Sequence, residues 1–140
     1  MKLYFAYGSN MSDSQMNDRC PDNKKMGVAI LPGYRWIIST RGLANVVKAQ
    51  ESEVEGILWE ISPTDENNLD KFEGVAGGSY GRFEVAVKHD GEVKSALIYI
   101  DPCTEEGRSK DEYVKRMNRA LADAKLSESY VIQIRKFIPE

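Results

Sequence analysis

Two short stretches carry residue types that can do chemistry together: Tyr7-Gly8-Ser9-Asn10, and Phe72-Glu73-Gly74-Val75 followed by Tyr80. The first follows an apolar run and precedes a helix start. Gly8 can adopt backbone conformations closed to other residues. A junction between strand and helix leaves N–H groups without intrahelical partners, and such groups attract anions. The same residue types also serve a plain tight turn with a helix cap. Glu73 supplies a proton acceptor and donor. Its neighbours Phe72 and Val75 can desolvate it, which raises a carboxyl pKa from about 4.3 toward the neutral range that acid–base work prefers. Gly77 and Gly78 let the chain turn sharply, and Tyr80 can then place a phenol nearby. A turn that holds an anionic group and a glutamate that moves protons together describe a small enzyme acting on a carboxylate-bearing substrate.

Other nucleophiles are poorly served. Ser9 on a strand-to-helix elbow would need the Gly-x-Ser-x-Gly spacing, which is missing, and a base to activate it. The single histidine, His89, lies beside Asp90-Gly91, where a solvated strand end is expected. The same shortage of imidazole weakens Cys20 as a thiolate nucleophile. Two cysteines, Cys20 and Cys103, do not make a disulfide framework. No His/Asp/Glu cluster has metal-ligand spacing, so neither metal nor cofactor is expected. Asp65 and Glu66 read as first-turn helix residues, Glu51, Glu53 and Glu55 as an acidic strand edge, and Lys48 and Lys88 as exposed strand charges. Arg82, just after the Glu73–Tyr80 loop, could meet a carboxylate bidentately. Trp36 and Trp59 read as core.

The chain of 140 residues fits one domain, 1–140, and 41% hydrophobic with 29% charged residues suits a soluble globular protein. Lys and Arg are scattered, the net charge is −3 and the pI near 5.3, which disfavours nucleic acid as a partner. No apolar run approaches the roughly 20 residues of a membrane span. The apolar start, Met1 to Tyr7, is too short for a signal peptide and runs straight into a turn, so the cytoplasm is the expected location.

The elements that must position these residues can be read from pattern. Residues 2–7 form a buried strand. Asn10 or Ser12 caps a short helix, Ser12-x-x-Gln15 having capping-box spacing, and the helix ends by Arg19-Cys20 ahead of Pro21. Strands follow at Met26–Leu31, Tyr34–Thr40, Leu43–Gln50 and Glu53–Ile61, broken at Pro32-Gly33 and Arg41-Gly42. Gly56 inside a strand marks a bulge or a close backbone approach. Ser62-Pro63 opens a helix that stops near Phe72. Residues 81–89 and 92–100 flank Asp90-Gly91, a hairpin signal. Ser109 caps a helix with Tyr113, Val114, Met117, Ala120, Leu121 and Ala124 on its apolar face, and Ser127 caps a last one running to Pro139. Five to seven short strands followed by two helices predict an α+β fold: a mostly antiparallel sheet or small barrel with helices at its side.

These pieces in this order resemble the γ-glutamylcyclotransferase-like family, which includes the avirulence-induced-gene-like and butirosin-pathway cyclotransferases. The likeness starts at Tyr7-Gly8-Ser9-Asn10-Met11, where the family usually has Leu in the last place. It continues through Met16, Arg19-Cys20-Pro21, Ala44-Asn45-Val46 and Val54-Glu55-Gly56-Ile57-Leu58-Trp59. It is best at Glu73-Gly74-Val75, with Gly78 and Tyr80 at the family's offsets, and covers roughly the first 100 residues. Leu126 with Tyr130 is a weaker echo near the C-terminus.

The resemblance implies a small mixed, mostly antiparallel β-barrel with flanking helices. It implies a cavity lined by Tyr7, Gly8, Ser9, Asn10 and Met11, with Glu73 as catalytic acid/base, Tyr80 bonding the substrate and Tyr130 closing the pocket. The implied substrate is a small γ-glutamyl amino acid or amine, with no cofactor. The implied reaction is attack of the α-amine on the γ-carbonyl, releasing 5-oxoproline and the free amine. Rival readings are a non-catalytic binder of a small acidic metabolite on the same fold, and a serine hydrolase acting through Ser9. The leaving group and the oligomeric state are not readable, although the Tyr34–Thr40 strand could offer an interface if it lies at an edge.

Overall fold

The computed structural model describes residues 1–140. The chain begins with β1 (Lys2–Ala6), a 3₁₀ turn (Ser9–Met11) and α1 (Asp13–Arg19). Two long strands follow, β2 (Lys24–Ile38) and β3 (Ala44–Ile61), then α2 (Pro63–Phe72) and a second 3₁₀ turn (Val75–Gly77). The hairpin strands β4 (Gly81–His89) and β5 (Glu92–Ile100) precede α3 (Asp111–Ala124) and α4 (Glu128–Ile134). The strands close into a barrel in the order β1-β3-β2-β4-β5. All pairings are antiparallel except β1 with β5, which makes the barrel mixed. No helix is long and apolar enough to cross a membrane.

The sequence pattern predicts four strands between residues 26 and 61; the structure forms two. Pro32-Gly33 does not end β2. The pairing of β2 with β3 shifts register there and again at Lys25/Gly27, and Gly27 and Gly33 take positive φ of +117° and +82°. A bulge absorbs the extra residue and bends the strand while pairing continues on either side. Arg41-Gly42 is a true turn, with Gly42 at φ +81°. Gly56 makes the close approach instead of a bulge: a Cβ there would stand 2.3 Å from the Ala6 carbonyl oxygen and 2.7 Å from the Phe5 ring.

Local signals govern the short helices. The Ser12 hydroxyl caps α1 by accepting from the Gln15 N–H at 3.3 Å. The reciprocal half of a capping box is absent, because the Gln15 side chain turns to the Tyr7–Asn10 turn. At α2 the box is complete, with Ser62 and Asp65 exchanging bonds and Pro63 at the first helical position. Asp65 is fully buried and also accepts from the Asp22 N–H. Asp90 and Gly91 both take positive φ, as a two-residue hairpin turn of this hand requires.

Two expected caps are corrected. α3 starts from Lys110, not Ser109, whose hydroxyl donates to the Lys110 carbonyl; Asp111 and Glu112 meet the helix dipole instead. Ser127 does precede α4, but its N–H and hydroxyl are both taken by Glu55, at 2.9 and 2.5 Å. That helix ends at Ile134, short of Pro139. Trp36 and Trp59 are buried in one continuous core with the inner faces of β1, β3 and β5 and the apolar side of α3. His89, expected at a solvated strand end, is buried, held by the Met26 carbonyl at 3.0 Å and by Lys94 at 2.8 Å.

Candidate active site

A cavity of about 320 Å³ opens where the end of β1, the end of α2 and the first turns of α3 converge. Its floor is the turn after β1. The 3₁₀ turn is closed by the Met11 N–H to the Gly8 carbonyl and the Ser12 N–H to the Ser9 carbonyl, both at 3.0 Å. Supports come from outside the turn. The Trp36 indole donates to the Tyr7 carbonyl at 2.8 Å, and the Gln15 amide donates to Ser9 Oγ at 2.7 Å and Asn10 Oδ1 at 2.8 Å. The Ser9 N–H donates to the Tyr113 hydroxyl at 3.3 Å. Gly8 is required here because a Cβ would stand 2.7 Å from that same hydroxyl and 3.1 Å from Ala44.

Glu73 is the residue that ends α2. Its N–H closes the last turn on Leu69 at 2.8 Å, and Gly74 then takes the left-handed conformation at φ +65°. Gly78 repeats this at φ +78°, and the Ser79 N–H returns to the Gly74 carbonyl at 3.0 Å. The two glycines thus fold the chain back so that Glu73 and Tyr80 line one cavity. α2 is itself tied to α1, Asn68 donating to the Arg19 carbonyl at 3.1 Å, which brings Arg19 to the same wall.

Burial pushes the Glu73 carboxyl up to about 7, against the pull of Arg19 and Arg116. Desolvation disfavours the charged form, and two guanidiniums offset only part of it. No protein hydrogen bond restrains this carboxyl. Five phenols surround it: Tyr4, Tyr7, Tyr80, Tyr99 and Tyr113. Burial is the first cause that keeps all five protonated. Tyr7 donates to the Tyr99 carbonyl at 2.5 Å, Tyr80 to the Ala44 carbonyl at 3.0 Å and Tyr99 to Asp70 at 2.7 Å. Tyr4 accepts from Asn10 Nδ2 at 2.9 Å. Tyr4 and Tyr113 therefore accept from the turn and keep an O–H to offer elsewhere.

Among the residues that the sequence singles out, Tyr7, Gly8, Ser9, Asn10, Glu73 and Tyr80 come together around this cavity. Met11 does not line it; its side chain is buried in the core behind the turn. Tyr130 is not brought to it either. α4 packs beside β3, and Tyr130 lines a separate depression with Trp36 and Glu55. Arg82 faces away, paired with Asp70 at 2.6 Å and with Glu66. Ser9 has no imidazole in the cavity, and its hydroxyl is held by an amide donor, which removes the basis for a serine nucleophile. Cys20 is buried, with burial pushing its thiol up to about 12. Sequence reasoning missed Tyr4, Arg41, Tyr99, Tyr113 and Arg116 as site residues, and saw Arg19 only as the end of a helix and as part of the family likeness. Tyr113 carried a signal, a polar-tipped aromatic on an apolar helix face, which periodicity alone assigns to the core.

Comparison with known proteins bears on the family and the fold. A family model described as gamma-glutamyl cyclotransferase, AIG2-like, matches residues 4–118. The human gamma-glutamylcyclotransferase is 28% identical over 124 residues, covering 81% of this chain and 66% of the human one. The bovine gamma-glutamylcyclotransferase is 32% identical over 95 residues, 61% of this chain and 50% of that protein. The matches thus span less than two thirds of the length of these two relatives. A solved structure described as a gamma-glutamyl cyclotransferase superposes with a TM-score of 0.89 at 25% identity, over 99% of this chain and 89% of that one. A single family model thus spans the Tyr7–Asn10 turn, Glu73 and Tyr113 alike, and this chain belongs to the gamma-glutamyl cyclotransferase, AIG2-like family.

Proposed function

We propose that this chain is a cyclotransferase that converts a γ-glutamyl amino acid or amine into 5-oxoproline and the free amine. One observation carries the reading: Glu73, a carboxyl that burial pushes up to about 7, lines the same cavity as the Tyr7–Asn10 turn and the Arg19 guanidinium. In this reading the Gly8–Asn10 turn and Arg19 hold the α-carboxylate of the glutamyl unit. Arg19 is in no ion pair and donates to Asn10 Oδ1 at 3.1 Å, so its charge stands free beside the turn. Ionised Glu73 takes a proton from the α-ammonium. The freed amine attacks the γ-carbonyl carbon and a five-membered ring closes. Protonated Glu73 then gives its proton to the departing nitrogen as the old C–N bond breaks, and takes back the surplus proton of the ring nitrogen. That proton leaves with the product amine as ammonium, so none is gained or lost overall.

The step is intramolecular, so the cavity has mainly to hold a ring-closing pose. Well-oriented intramolecular reactions gain roughly 7–11 kcal/mol from this. Tyr4 and Tyr113, the two phenols whose O–H is not taken by a protein acceptor, can donate to the carbonyl oxygen without competing for Glu73's proton. Both cysteines are free, which fits a reducing compartment such as the cytoplasm. The test is 5-oxoproline release from a panel of γ-glutamyl amino acids and amines, with Glu73→Gln beside the wild type. Release that the variant loses, while still binding the substrate, supports the reading. A folded protein that binds γ-glutamyl compounds but releases nothing is a binder on the same fold.

A further inference from the structure

Three guanidiniums line the cavity, Arg19, Arg41 and Arg116, against one carboxylate, Glu73. A substrate with a single α-carboxylate needs one of them. Arg41 is already satisfied: it donates to Asp101 at 2.7 Å, whose carboxylate is 1% exposed, and to the Ser79 carbonyl at 3.0 Å. Arg19 is tied to the turn through Asn10 and belongs to the glutamyl end. Arg116 is left over.

Arg116 reaches the cavity from α3. Its guanidinium lies 5.0 Å from the centre of the Tyr113 ring, which orients it. Nη2 and Nε face Glu112 one helical turn away, at 3.1 and 3.0 Å, and Nη1 has no protein acceptor. The Glu112 side chain is 72% exposed. A pair whose carboxylate is this exposed contributes little and is readily exchanged for another carboxylate, and the Arg116 Nε is buried with no well-aligned acceptor. Glu73 must touch the departing nitrogen, and Arg116 is near enough to Glu73 to favour its charged form. Arg116 lines the cavity and its side chain is 28% exposed, so a group that hangs on that nitrogen and extends toward solvent can meet it.

We infer that Arg116 is a specificity-determining residue that pairs with a carboxylate carried by the leaving amine, so that γ-glutamyl amino acids with a free carboxylate are favoured over γ-glutamylamines. The inference rests on the cyclotransferase reading. It is tested with γ-glutamylalanine against γ-glutamylalaninamide, which differ only in the charge of the leaving group. A charge-assisted hydrogen bond corresponds to a wild-type preference for the acid of about 10- to 100-fold in kcat/KM. In Arg116→Met the ratio should fall to within about twofold, and Arg116→Lys should restore part of it, since the charge returns without the fork. A ratio taken within one variant does not respond to losses of folding. A wild-type ratio near one, or the same ratio in Arg116→Met, overturns the inference. The same two ligands are also titrated calorimetrically against Glu73→Gln, with and without Arg116→Met. A preference for the acid that disappears with Arg116 supports the inference even where no 5-oxoproline forms, and equal affinities in Glu73→Gln overturn it.

Discussion

At the scale of single residues, Glu73 makes the sharpest claims. Its folded pKa of about 7 lies above the ordinary 4.5. In the proposed reaction it is the base and must be ionised, so kcat/KM should rise with pH through about 7 and then level, a limb that Glu73→Gln removes along with most of the turnover, on the order of 10²- to 10⁴-fold. Stability runs the opposite way. Between pH 4.5 and 7 the folded chain holds a proton that the unfolded chain has lost, so stability is full below this window and falls as pH rises through it. Thermal melts at pH 5 and pH 8 should therefore show Glu73→Gln gaining most over the wild type at the higher pH. The carboxylate and its turn are legible in the sequence because each is set by adjacent residues: Gly78 bends one loop, with Gly74 in the role the pattern gives to Gly77, and Gly8 permits the other. Tyr4, Tyr99, Tyr113, Arg41 and Arg116 are not legible. Nothing in their local spacing distinguishes a core phenol from a cavity phenol, or a solvated arginine from one aimed inward; the distinction is made by segments a hundred residues away. Tyr130 and Met11 fail for the complementary reason, since a side chain at a familiar offset can still turn into the core.

At the scale of elements, what succeeds is local chemistry. Ser12, Ser62-Pro63 and Asp90-Gly91 announce their helices and hairpin because the bonds they make lie within three residues. What fails is anything decided by a partner strand. β2 passes through Pro32-Gly33 because β3 supplies a second register beyond the bulge, and no reading of β2 alone contains that information. Ser109 loses its expected capping role to its own neighbour's carbonyl, and Ser127 gives its hydroxyl to Glu55 across the molecule. Gly56 is the element-scale site with the tightest fit. Its missing side chain lets β1 pack against β3, and the atoms a Cβ would meet are a backbone oxygen and a core ring, neither able to swing away. Gly56→Ala should cost about 3 kcal/mol, at the upper end for overpacking. A drop in Tm of roughly 5–15 °C checks it, and an unchanged melt would mean that β1 can shift at no cost.

For the whole molecule, the fold class follows from order: strands first, helices last, one apolar face each. The closure of the barrel does not, because it depends on two long-range seams. On each side the β4–β5 hairpin joins the rest through a single ladder pair, Ile30 with Lys88 and Tyr4 with Leu97, while nine pairs hold the hairpin to itself. A piece strongly bonded within and thinly bonded without tends to open as a unit. Native-state hydrogen exchange should show β4 and β5 amides exchanging together, through a lower-energy opening than the β2–β3 amides. A single shared exchange energy for all strands would contradict this. Tyr80 precedes this hairpin and Tyr99 lies near its end, both on the cavity wall. A ligand seated between them and the Tyr7–Asn10 turn would therefore slow exchange across the hairpin more than anywhere else, so that occupancy of the cavity can be read as a protection pattern reaching to the far end of strands that the ligand meets only at Tyr99.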